Sequence, residues 1–374
     1  MGEALSGLEL RSTVTEGELR LHLERVRIDA PGDDEVIVRV EAAPINPSDL
    51  GLLLGPADLS TMQAGGTADL PELTATIPAQ RMPMMAARLG QSMPVGNEGA
   101  GTVVQAGANV ADLLGRKVGM IGGAMYAQYR KLPARDCVVL PEGASAADGA
   151  SMFVNPLTAL GFVETMRAEG HKAIVHTAAA SNLGQMLNRI CIADGVPLVN
   201  IVRNAEQADV LRAIGAVHII DSSAPDFMAR LTDAAAETGA TIGFDAIGGG
   251  KLAGQILNAM EAAANRNAAS YSRYGSNQFK QVYIYGALDT GPTTLDRAFG
   301  FSWSVSGWLL TPFLMKAGQE VGARLRQRVV DELTTTFASR YTATIGLAEA
   351  LRPDVVAAYQ RKATGEKYLI DPSR

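Results

Sequence analysis

Lys172-Ala-Ile-Val-His-Thr-Ala-Ala-Ala-Ser-Asn-Leu-Gly-Gln-Met186 is the stretch that decides the fold, because an apolar run passes through small residues directly into a helical pattern. Ile174 and Val175 predict a buried strand. The apolar residues that follow recur at i, i+3, i+4 and i+7, the period of one helix face: Leu183, Met186, Leu187 and Ile190. Between strand and helix, Ala179-x-Ser181-x-x-Gly184 has the spacing of the dinucleotide-binding fingerprint, with its last glycine intact. Such a turn brings backbone N–H groups and a helix N-terminus to a pyrophosphate, and the alternative is an Ala/Ser-rich turn that binds nothing.

The same order of a strand followed by a helix repeats through the C-terminal half of the chain. Strands are predicted at Ile174–His176, Pro197–Val202, Val217–Ile220, Ile242–Ala246 and Val282–Gly286. Helices are predicted at Leu183–Ala193, Ala205–Ile214 and Phe227–Ala236, with a further helix before the last strand. Alternating strands and helices are typical of a parallel sheet that is wound on both faces, so the sequence predicts an α/β fold in Rossmann order.

The N-terminal half is predicted to be rich in strands. Leu19, Leu21 and Leu23 alternate, and further strand patterns follow at Val36–Glu41, Lys117–Ile121, Tyr126–Leu132 and Cys137–Leu140. The closely spaced glycines between Val95 and Gly107 suit strands that bend in a barrel or pass near a ligand. The segment Gly55–Pro94 has turn signals but no clear period, which predicts a long excursion that could serve as a lid.

Two domains are expected, because 374 residues exceed the usual size of a single core. The strand-rich domain is predicted to cover residues 1–155 and to be completed by residues 316–374, which end in the short strand Lys367–Ile370. The Rossmann domain is predicted to cover residues 156–315. Asn155-Pro156 marks its start, since proline suits the first turn of a new helix.

Composition excludes several classes of function. A net charge of −6 and the lack of a long basic tract give no footprint for nucleic acid. No apolar run approaches the ~20 residues that span a bilayer, and the N-terminus lacks a signal pattern, so we expect a cytoplasmic protein without a membrane partner. Cys137 and Cys191 are far apart in sequence, which predicts neither a disulfide framework nor a metal knuckle.

Arg203 follows the second predicted Rossmann strand, nineteen residues after Gly184. An acidic residue at this position would bind the ribose 2′-hydroxyl of NAD, whereas an arginine suits the 2′-phosphate of NADP. Arg203 and Asn204 therefore favour NADPH as the cofactor. The alternative is a solvated surface arginine, which is common at strand ends.

Asn46 lies between two prolines in Ala42-Ala-Pro-Ile-Asn-Pro-Ser-Asp49. The prolines exclude a regular helix there and fix a loop that can present Asn46 and Asp49 rigidly. Asn46 is therefore a candidate for hydrogen bonding to the substrate or to the nicotinamide. The alternative is an amide that caps its own turn.

Several motifs in order resemble the medium-chain dehydrogenase/reductase superfamily over nearly the whole chain. The resemblance is to its zinc-free branch of quinone oxidoreductases and 2-enoyl thioester reductases. It rests on Ala43-Pro-Ile-Asn-Pro-Ser-Asp49, Gly96-Asn-Glu-Gly99, Val154-Asn-Pro-Leu-Thr-Ala159, Ala178-Ala-Ala-Ser-Asn-Leu-Gly-Gln185 and Ile201-Val-Arg203. The resemblance implies a GroES-like β-rich barrel domain followed by an inserted Rossmann domain.

The resemblance also implies where ligands bind. The zinc-dependent members place Cys, His and Cys where this chain has Asn46, Asn97 and Asn155, and amides are poor zinc ligands, so we predict no catalytic metal. The residues implied to contact the cofactor are Asn155, Thr158, Ser181, Asn182, Leu183, Gly184, Tyr285, Gly286, Ala287, Leu288, Trp308 and Lys367. The alternatives are a backbone hydrogen bond for Thr158 and core packing for Trp308.

The predicted reaction is hydride transfer from NADPH to a small-molecule acceptor, either a quinone or an α,β-unsaturated carbonyl compound. The resemblance implies that enoyl thioester reductases carry a proton-donating tyrosine where this chain has Ala57. Because that tyrosine is missing, a 2-enoyl thioester reductase is only the second hypothesis. Tyr126 is the replacement candidate for a proton donor, although a structural strand tyrosine also fits. A third hypothesis is a cofactor-binding protein with little catalysis. The apolar edge strand predicted at Phe301–Trp308 favours a homodimer.

Overall fold

The computed structural model describes residues 4–266, 268, 270–361 and 364–374, and it divides into two compact units. The first unit comprises Met1–Val154 together with Val330–Arg374, and the second comprises Asn155–Val329. The predicted return to the first domain at residue 316 falls inside a helix at Leu310–Asp331, which is interrupted only at Gly318. The second unit therefore continues through most of that helix.

The strands, in chain order, are β1 (Leu5–Thr15), β2 (Glu18–Ile28), β3 (Glu35–Pro44), β4 (Gln63–Gly66), β5 (Pro71–Thr76), β6 (Ser92–Pro94), β7 (Glu98–Ala106), β8 (Lys117–Ile121), β9 (Tyr129–Pro133), β10 (Cys137–Val139), β11 (Ile174–His176), β12 (Leu198–Val202), β13 (His218–Asp221), β14 (Ile242–Asp245), β15 (Gly248–Gly250), β16 (Lys280–Ile284), β17 (Asp289–Thr293), β18 (Trp303–Gly307), β19 (Ala343–Ile345) and β20 (Tyr368–Ile370).

The helices, in chain order, are α1 (Leu50–Leu53), α2 (Ala146–Gly149), α3 (Val154–Ala168), α4 (Asn182–Asp194), α5 (Ala205–Arg212), α6 (Phe227–Thr238), α7 (Leu252–Arg266), α8 (Leu310–Asp331) and α9 (Pro353–Tyr359). Short 3-10 helices lie at Leu59–Thr61, Ala79–Arg88, Ala108–Leu113, Ala134–Asp136 and Glu349–Leu351.

The first unit is built from two mainly antiparallel sheets. One has the order β4-β5-β2-β1-β6, and the other has the order β10-β8-β7-β3-β20-β19 with β9 also paired to β3. The C-terminal strand rejoins this unit as predicted, since β20 pairs antiparallel with β3 at Leu369↔Pro44 and Ile370↔Ala43. Alternating apolar side chains of the long strands, such as Leu10, Leu21 and Val38, form the shared core.

Two parts of the first unit differ from the prediction. Strand β1 was not predicted, although Leu8, Leu10 and Val14 alternate along it. The segment Gly55–Pro94 is not a structureless excursion, because β5 pairs with β2 and β6 pairs with β1. The strands in this segment are only three to six residues long, too short for a period to stand out above the turn residues around them.

The second unit contains the predicted Rossmann sheet. Its strands lie in the order β13-β12-β11-β14-β16-β18, and every neighbouring pair is parallel. Strands β11 and β14 lie at the centre of this order and are buried on both faces, which fits sequences that are apolar except at their carboxyl ends. The order turns back at β11, so the carboxyl ends of β11 and β14 flank the position where open α/β sheets bind ligands.

Helix α4 is amphipathic, and it begins and ends with clear capping residues. Its buried face includes Leu183, Met186, Leu187 and Ile190, which are the residues predicted from the helical period. The helix ends at Gly195, whose left-handed φ of 64° places its N–H on the carbonyls of the last turn. Among the residues described, no helix is both long and apolar enough to span a lipid bilayer.

Candidate functional site

The turn between β11 and α4 holds the helix N-terminus close to the sheet. Ser181 is the N-cap of α4, and its Oγ accepts the backbone N–H of Gly184 at 3.1 Å. A Cβ atom on Gly184 would lie 2.1 Å from the carbonyl oxygen of Ala179, so only glycine permits this approach. Ala178 has a left-handed φ of 49°, a conformation that glycine adopts more readily. The fingerprint therefore keeps its geometry with alanine and serine at its first two positions.

Helix α4 is tied to β12 by two buried amides. Asn188 Nδ2 donates to Asn200 Oδ1 at 2.8 Å, and Asn200 Nδ2 donates to Asn188 Oδ1 at 3.0 Å. Asn188 Nδ2 also donates to the carbonyl oxygen of Gly184 at 2.8 Å. Each amide therefore has partners in the core, where an unpaired polar group would be costly. The pairing fixes the start of α4 relative to the strand that carries Arg203.

Arg203 and Asn204 are exposed at the carboxyl end of β12. The backbone N–H of Arg203 donates to Gln207 Oε1 at 2.9 Å, and the residue is exposed to solvent. Asn204 caps α5, since its Oδ1 accepts the backbone N–H of Gln207 at 2.9 Å. The structure thus places Arg203 where an anion could reach it, whereas the Asn204 side chain acts first as a helix cap.

A buried carboxylate, which the sequence analysis missed, organises the central strand ends. Asp245 Oδ1 accepts from Thr177 Oγ1 at 2.8 Å and from the backbone N–H of Ile247 at 2.9 Å, and Oδ2 accepts from Gly248 N at 3.2 Å. Thr177 Oγ1 in turn accepts from Ala246 N at 2.8 Å. An acidic residue at the end of an otherwise apolar strand was the available signal. Asp245 fixes both strand ends at the edge where a ligand is expected.

The segment Tyr285–Leu288 divides into a packed part and an exposed part. Tyr285 Oη lies 2.8 Å from His176 Nε2, and the two rings are stacked. Burial lowers the pKa of His176 to about 3 and raises the pKa of Tyr285, so both groups stay neutral at physiological pH. A Cβ atom on Gly286 would lie 2.5 Å from the carbonyl oxygen of Ala246. Ala287 and Leu288 are exposed at the edge of the sheet.

Trp308 is a core residue of the second unit. Its indole N–H donates to Thr165 Oγ1 at 3.0 Å, and its ring packs against Phe162 and Phe313. This geometry fits core packing, the alternative given for Trp308, while its contact with a cofactor stays a prediction. Thr158 is also buried and lies one helical turn before Phe162 on α3, while Asn155 is half-buried in the first turn of the same helix.

In the first unit, Asn46 belongs to a buried polar network. Asn46 Nδ2 donates to Glu98 Oε1 at 2.8 Å, and Asn46 N donates to Asp49 Oδ2 at 2.8 Å. Glu98 Oε2 accepts the backbone N–H groups of Phe153 and Val154, each at 2.9 Å. Glu98 therefore joins the proline-fixed loop to Phe153 and Val154, within the first unit. In the sequence, Glu98 is marked only as part of the motif Gly96-Asn-Glu-Gly99.

The two buried acids of this network hold protons more tightly than free carboxyl groups do. Burial raises the pKa of Asp49 to about 7, against the backbone N–H groups of Asn46 and Asn97 that favour its charged form. Burial also raises the pKa of Glu98, and the charge of Lys367 opposes that change. Asp49 joins the two loops that carry Asn46 and Asn97, since Asn97 N donates to Asp49 Oδ1 at 2.9 Å.

Lys367 lies beside the same network. Its Nζ donates to Ser151 Oγ at 2.6 Å and is 5.5 Å from the centre of the Tyr341 ring. Ser151 Oγ lies 2.9 Å from Tyr341 Oη. Burial lowers the pKa of Lys367 to about 8, although Glu98 and Asp49 favour its charged form. The structure thus brings together Asn46 and Lys367, which are far apart in sequence.

Tyr126 does not have the geometry of a proton donor. It is fully buried, and its hydroxyl group donates to the carbonyl oxygen of Pro44 at 3.1 Å. Burial, together with the charge of Asp49, raises the pKa of Tyr126 well above its ordinary value. The phenol is therefore part of the core, and the predicted catalytic role of Tyr126 is corrected to a structural one.

Comparison with known proteins adds the family. The profile described as alcohol dehydrogenase GroES-like domain matches residues 32–142. A solved structure from Mesorhizobium loti, named as a "putative NADPH:quinone reductase", is 27% identical and has a TM-score of 0.70, with 100% of this chain and 99% of that chain covered. The chain is thus similar over its whole length to the quinone and enoyl reductase branch of the medium-chain dehydrogenase/reductase superfamily. This confirms the family resemblance and the predicted pair of GroES-like and Rossmann domains.

The matches lie in the branch of the superfamily that contains quinone and enoyl reductases. The mitochondrial enoyl-[acyl-carrier-protein] reductase of Xenopus tropicalis is 30% identical over 210 residues, which are 54% of this chain and 51% of that protein. The chain thus spans about half the length of the curated relatives that it matches. The quinone oxidoreductase of Escherichia coli, solved with NADPH, is 18% identical with a TM-score of 0.69 over 98% of this chain and all of that one, and this likeness concerns the fold.

Proposed function

We propose that the protein is an NADPH-dependent, zinc-independent oxidoreductase that transfers hydride to a quinone or an α,β-unsaturated carbonyl compound. The observation that carries this proposal is the turn between β11 and α4, where the Gly184 backbone packs against Ala179 and leaves no room for a Cβ. This close approach is what a pyrophosphate site at a helix N-terminus requires. The relatives named as quinone and enoyl reductases support the same reaction class.

The residues present fit NADPH. Ser181, Asn182, Leu183 and Gly184 would hold the pyrophosphate, and the exposed guanidinium of Arg203 would pair with the 2′-phosphate. Gly286, Ala287 and Leu288 lie at the carboxyl edge of the sheet and would accommodate the nicotinamide end. Asn155, Thr158 and Lys367 remain proposed contacts. When bound, NADPH would supply the hydride, while the protein would orient the acceptor and exclude water.

The proposal includes no catalytic zinc. Asn46 and Asn97 carry amide side chains. The carboxylate oxygens of Glu98 and Asp49 accept hydrogen bonds from Asn46, Asn97, Phe153 and Val154. Each oxygen of the two carboxylates already accepts at least one hydrogen bond, and an amide is a weak zinc ligand. Metal analysis of the purified protein should find far less than one zinc per chain, and a stoichiometric zinc would contradict this part of the proposal.

Stopped-flow oxidation of NADPH against a panel of quinones, enones and enoyl-CoA thioesters tests the reaction. We expect turnover with at least one quinone or enone. Tight NADPH binding without consumption across the whole panel would instead favour a cofactor-binding protein with little catalysis. The experiment thus distinguishes hydride transfer to an acceptor from binding of the cofactor alone.

Arg203→Ala tests the choice of cofactor. The variant should raise the KM for NADPH at least tenfold and leave the KM for NADH within about twofold, because only NADPH carries the phosphate that Arg203 would pair with. Steady-state rates with both cofactors at fixed acceptor concentration give the two values. Equal effects on NADPH and NADH would rule out a 2′-phosphate contact.

A 2-enoyl thioester reductase is the second candidate function. The named activity of the mitochondrial relatives favours it. Against it, the proton-donating tyrosine expected after the Asn46 loop is replaced by Ala57, which is buried. Crotonyl-CoA turnover that greatly exceeds quinone turnover would reverse the order of the two candidates.

We also propose that the protein is a cytoplasmic homodimer. Strand β18 pairs with β16 on one side, and no strand covers its other side among the residues described. Phe301, just before β18, is exposed. An uncovered apolar edge of this kind invites pairing with a second copy across a two-fold axis. Sedimentation analysis with Val305→Pro, which would block that edge, should convert dimer to monomer.

A further inference from the structure

The Asn46 side chain is asymmetric in its hydrogen bonding. Its Nδ2 donates to Glu98 Oε1 at 2.8 Å. Its Oδ1 is buried and has no hydrogen-bond partner among the described residues, although Asn46 as a whole is only 1% exposed. A buried acceptor without a donor is unfavourable in a folded protein. The amide therefore has one half that is fixed and one half that is unsatisfied.

Glu98 determines the orientation of the Asn46 amide, that is, on which side its NH2 group and its oxygen lie. Against the effect of burial, the charge of Lys367 and the backbone N–H groups of Phe153 and Val154 favour the ionised form of Glu98. An ionised carboxylate has only acceptor atoms, so the amide group that faces it is the NH2 group. Glu98 cannot turn away to bond elsewhere, because its other oxygen accepts the backbone N–H groups of Phe153 and Val154. The backbone of Asn46 is fixed as well, since its N–H donates to Asp49. The amide oxygen is thus held in one direction by contacts on both sides.

We propose that Glu98 is a positioning residue that fixes the polarity of Asn46, so that Asn46 Oδ1 accepts a hydrogen bond from an N–H or O–H group of a bound ligand. The inference rests on the proposed function and deepens it, because it names the chemistry that this point recognises. A carbonyl oxygen of the acceptor is excluded as the partner, since two acceptors repel. Two ligands carry a suitable donor: the nicotinamide, through its carboxamide NH2, and a hydroxyl-bearing acceptor.

The Glu98→Gln variant reverses this polarity without changing the shape of the side chain. The backbone N–H groups of Phe153 and Val154 require an oxygen, so the amide oxygen of glutamine would take that side. Its NH2 group would then face Asn46, and the Asn46 amide would rotate to present Oδ1 to it. Asn46 would consequently offer a donor where the native protein offers an acceptor.

The first arm of the test compares dissociation constants for NADPH and for its 3-acetylpyridine analogue, in which a methyl group replaces the carboxamide NH2. Cofactor fluorescence gives both constants. If the carboxamide is the donor, the native protein should prefer NADPH, and Glu98→Gln should reduce this preference by roughly three- to tenfold, the value of one ordinary hydrogen bond. The informative quantity is the change in the ratio, because other contacts to the carboxamide cancel.

The second arm compares kcat/KM for a hydroxynaphthoquinone and for its methoxy counterpart, with NADPH held constant. If the hydroxyl group is the donor, the same three- to tenfold loss of preference in Glu98→Gln should appear here and not in the cofactor arm. A shift in either arm supports the inference and identifies the source of the donor. Unchanged ratios in both arms would overturn it.

Two further variants keep the test decisive. Asn46→Ala removes the acceptor and should lose the same preference, so it replaces Glu98→Gln if circular dichroism shows that the latter does not fold. Glu9→Gln is the matched control, because Glu9 is a part-buried carboxylate of β1 that bonds to Arg11 and does not contact Asn46. It should keep the native ratios. If the native protein neither binds NADPH nor oxidises it with any acceptor, the proposed function is wrong. If the native protein is active but Glu98→Gln leaves both preference ratios unchanged, only this inference is wrong.

Discussion

Replacement of Gly184 by alanine is the most direct test of the turn that carries the proposed function. The new Cβ would lie 2.1 Å from the carbonyl oxygen of Ala179, 2.6 Å from its carbonyl carbon and 2.8 Å from its Cα. All three atoms belong to the backbone, so no side chain can rotate away. To reach an ordinary contact distance, the start of α4 must move away from the turn by roughly 1 Å.

Two opposing effects set the size of the change. Alanine is favoured over glycine inside a helix by about 1 kcal/mol, whereas overpacking against a fixed backbone costs about 1–3 kcal/mol and occasionally more. We expect the overpacking to win, because the clash involves a carbonyl that also lies next to the capped helix start. Gly184→Ala should therefore lower the free energy of unfolding by about 1–2 kcal/mol.

The binding of NADPH should suffer more than stability does. A movement of roughly 1 Å at the helix start displaces the N–H groups that would face the pyrophosphate, and misplacement of this size can cost about 100-fold in function. Urea unfolding and cofactor fluorescence measure the two effects. Gly322→Ala is the control, since a Cβ there has no atom within 4 Å and the helix should gain slightly. Native-like stability and affinity in Gly184→Ala would refute the reasoning.

Two further predictions concern buried charges. Lys280→Met should lower the free energy of unfolding, measured in urea, by about 3–5 kcal/mol, because Glu261 stays buried and loses its Lys280 Nζ partner at 2.5 Å. Arg266→Met is the control: it breaks an exposed ion pair with Asp233 and should lower the free energy of unfolding by less than about 1 kcal/mol. Asp49 has a folded-state pKa of about 7, above its unfolded value of 3.8, so it contributes stability that is present below pH 4 and lost as the pH rises towards 7. That loss is of the order of 4 kcal/mol at most, and Asp49→Asn should flatten the pH dependence of urea unfolding between pH 5 and 8. A parallel pH dependence in the variant would show that Asp49 is not the titrating group.

The second unit was predictable from the sequence because its signals are local and long. A strand buried on both faces is a continuous apolar run, and each helix that follows carries a 3.6-residue period. Helix α4 was predicted at Leu183–Ala193 and found at Asn182–Asp194. Its N-cap Ser181 and the glycine after it are also local signals, so even the cap positions could be inferred.

The first unit was harder to predict because pairing, not period, defines its strands. Strands β4 to β6 are short, and they are strands only because β1 and β2 provide edges for them. The same limit applies to side-chain roles. Trp308 has the sequence position of a cofactor contact, but its indole N–H is taken by Thr165, and Tyr126 looks like a spare proton donor until its burial is known. No local pattern reveals such partners.

Glu98 and Asp245, whose roles could not be predicted from the sequence, share one physical feature. Glu98 and Asp245 are fully buried carboxylates, and each accepts three hydrogen bonds, from donors that include the backbone N–H groups of a following turn or helix start. An acceptor-only group can collect several loop N–H groups at one point, which neither an amide nor a hydroxyl can do as well. Because these oxygens are already engaged, they are poorly suited to bind a metal or to transfer a proton. It follows that the acids position the loops of their own units, and that the redox chemistry is left to the cofactor.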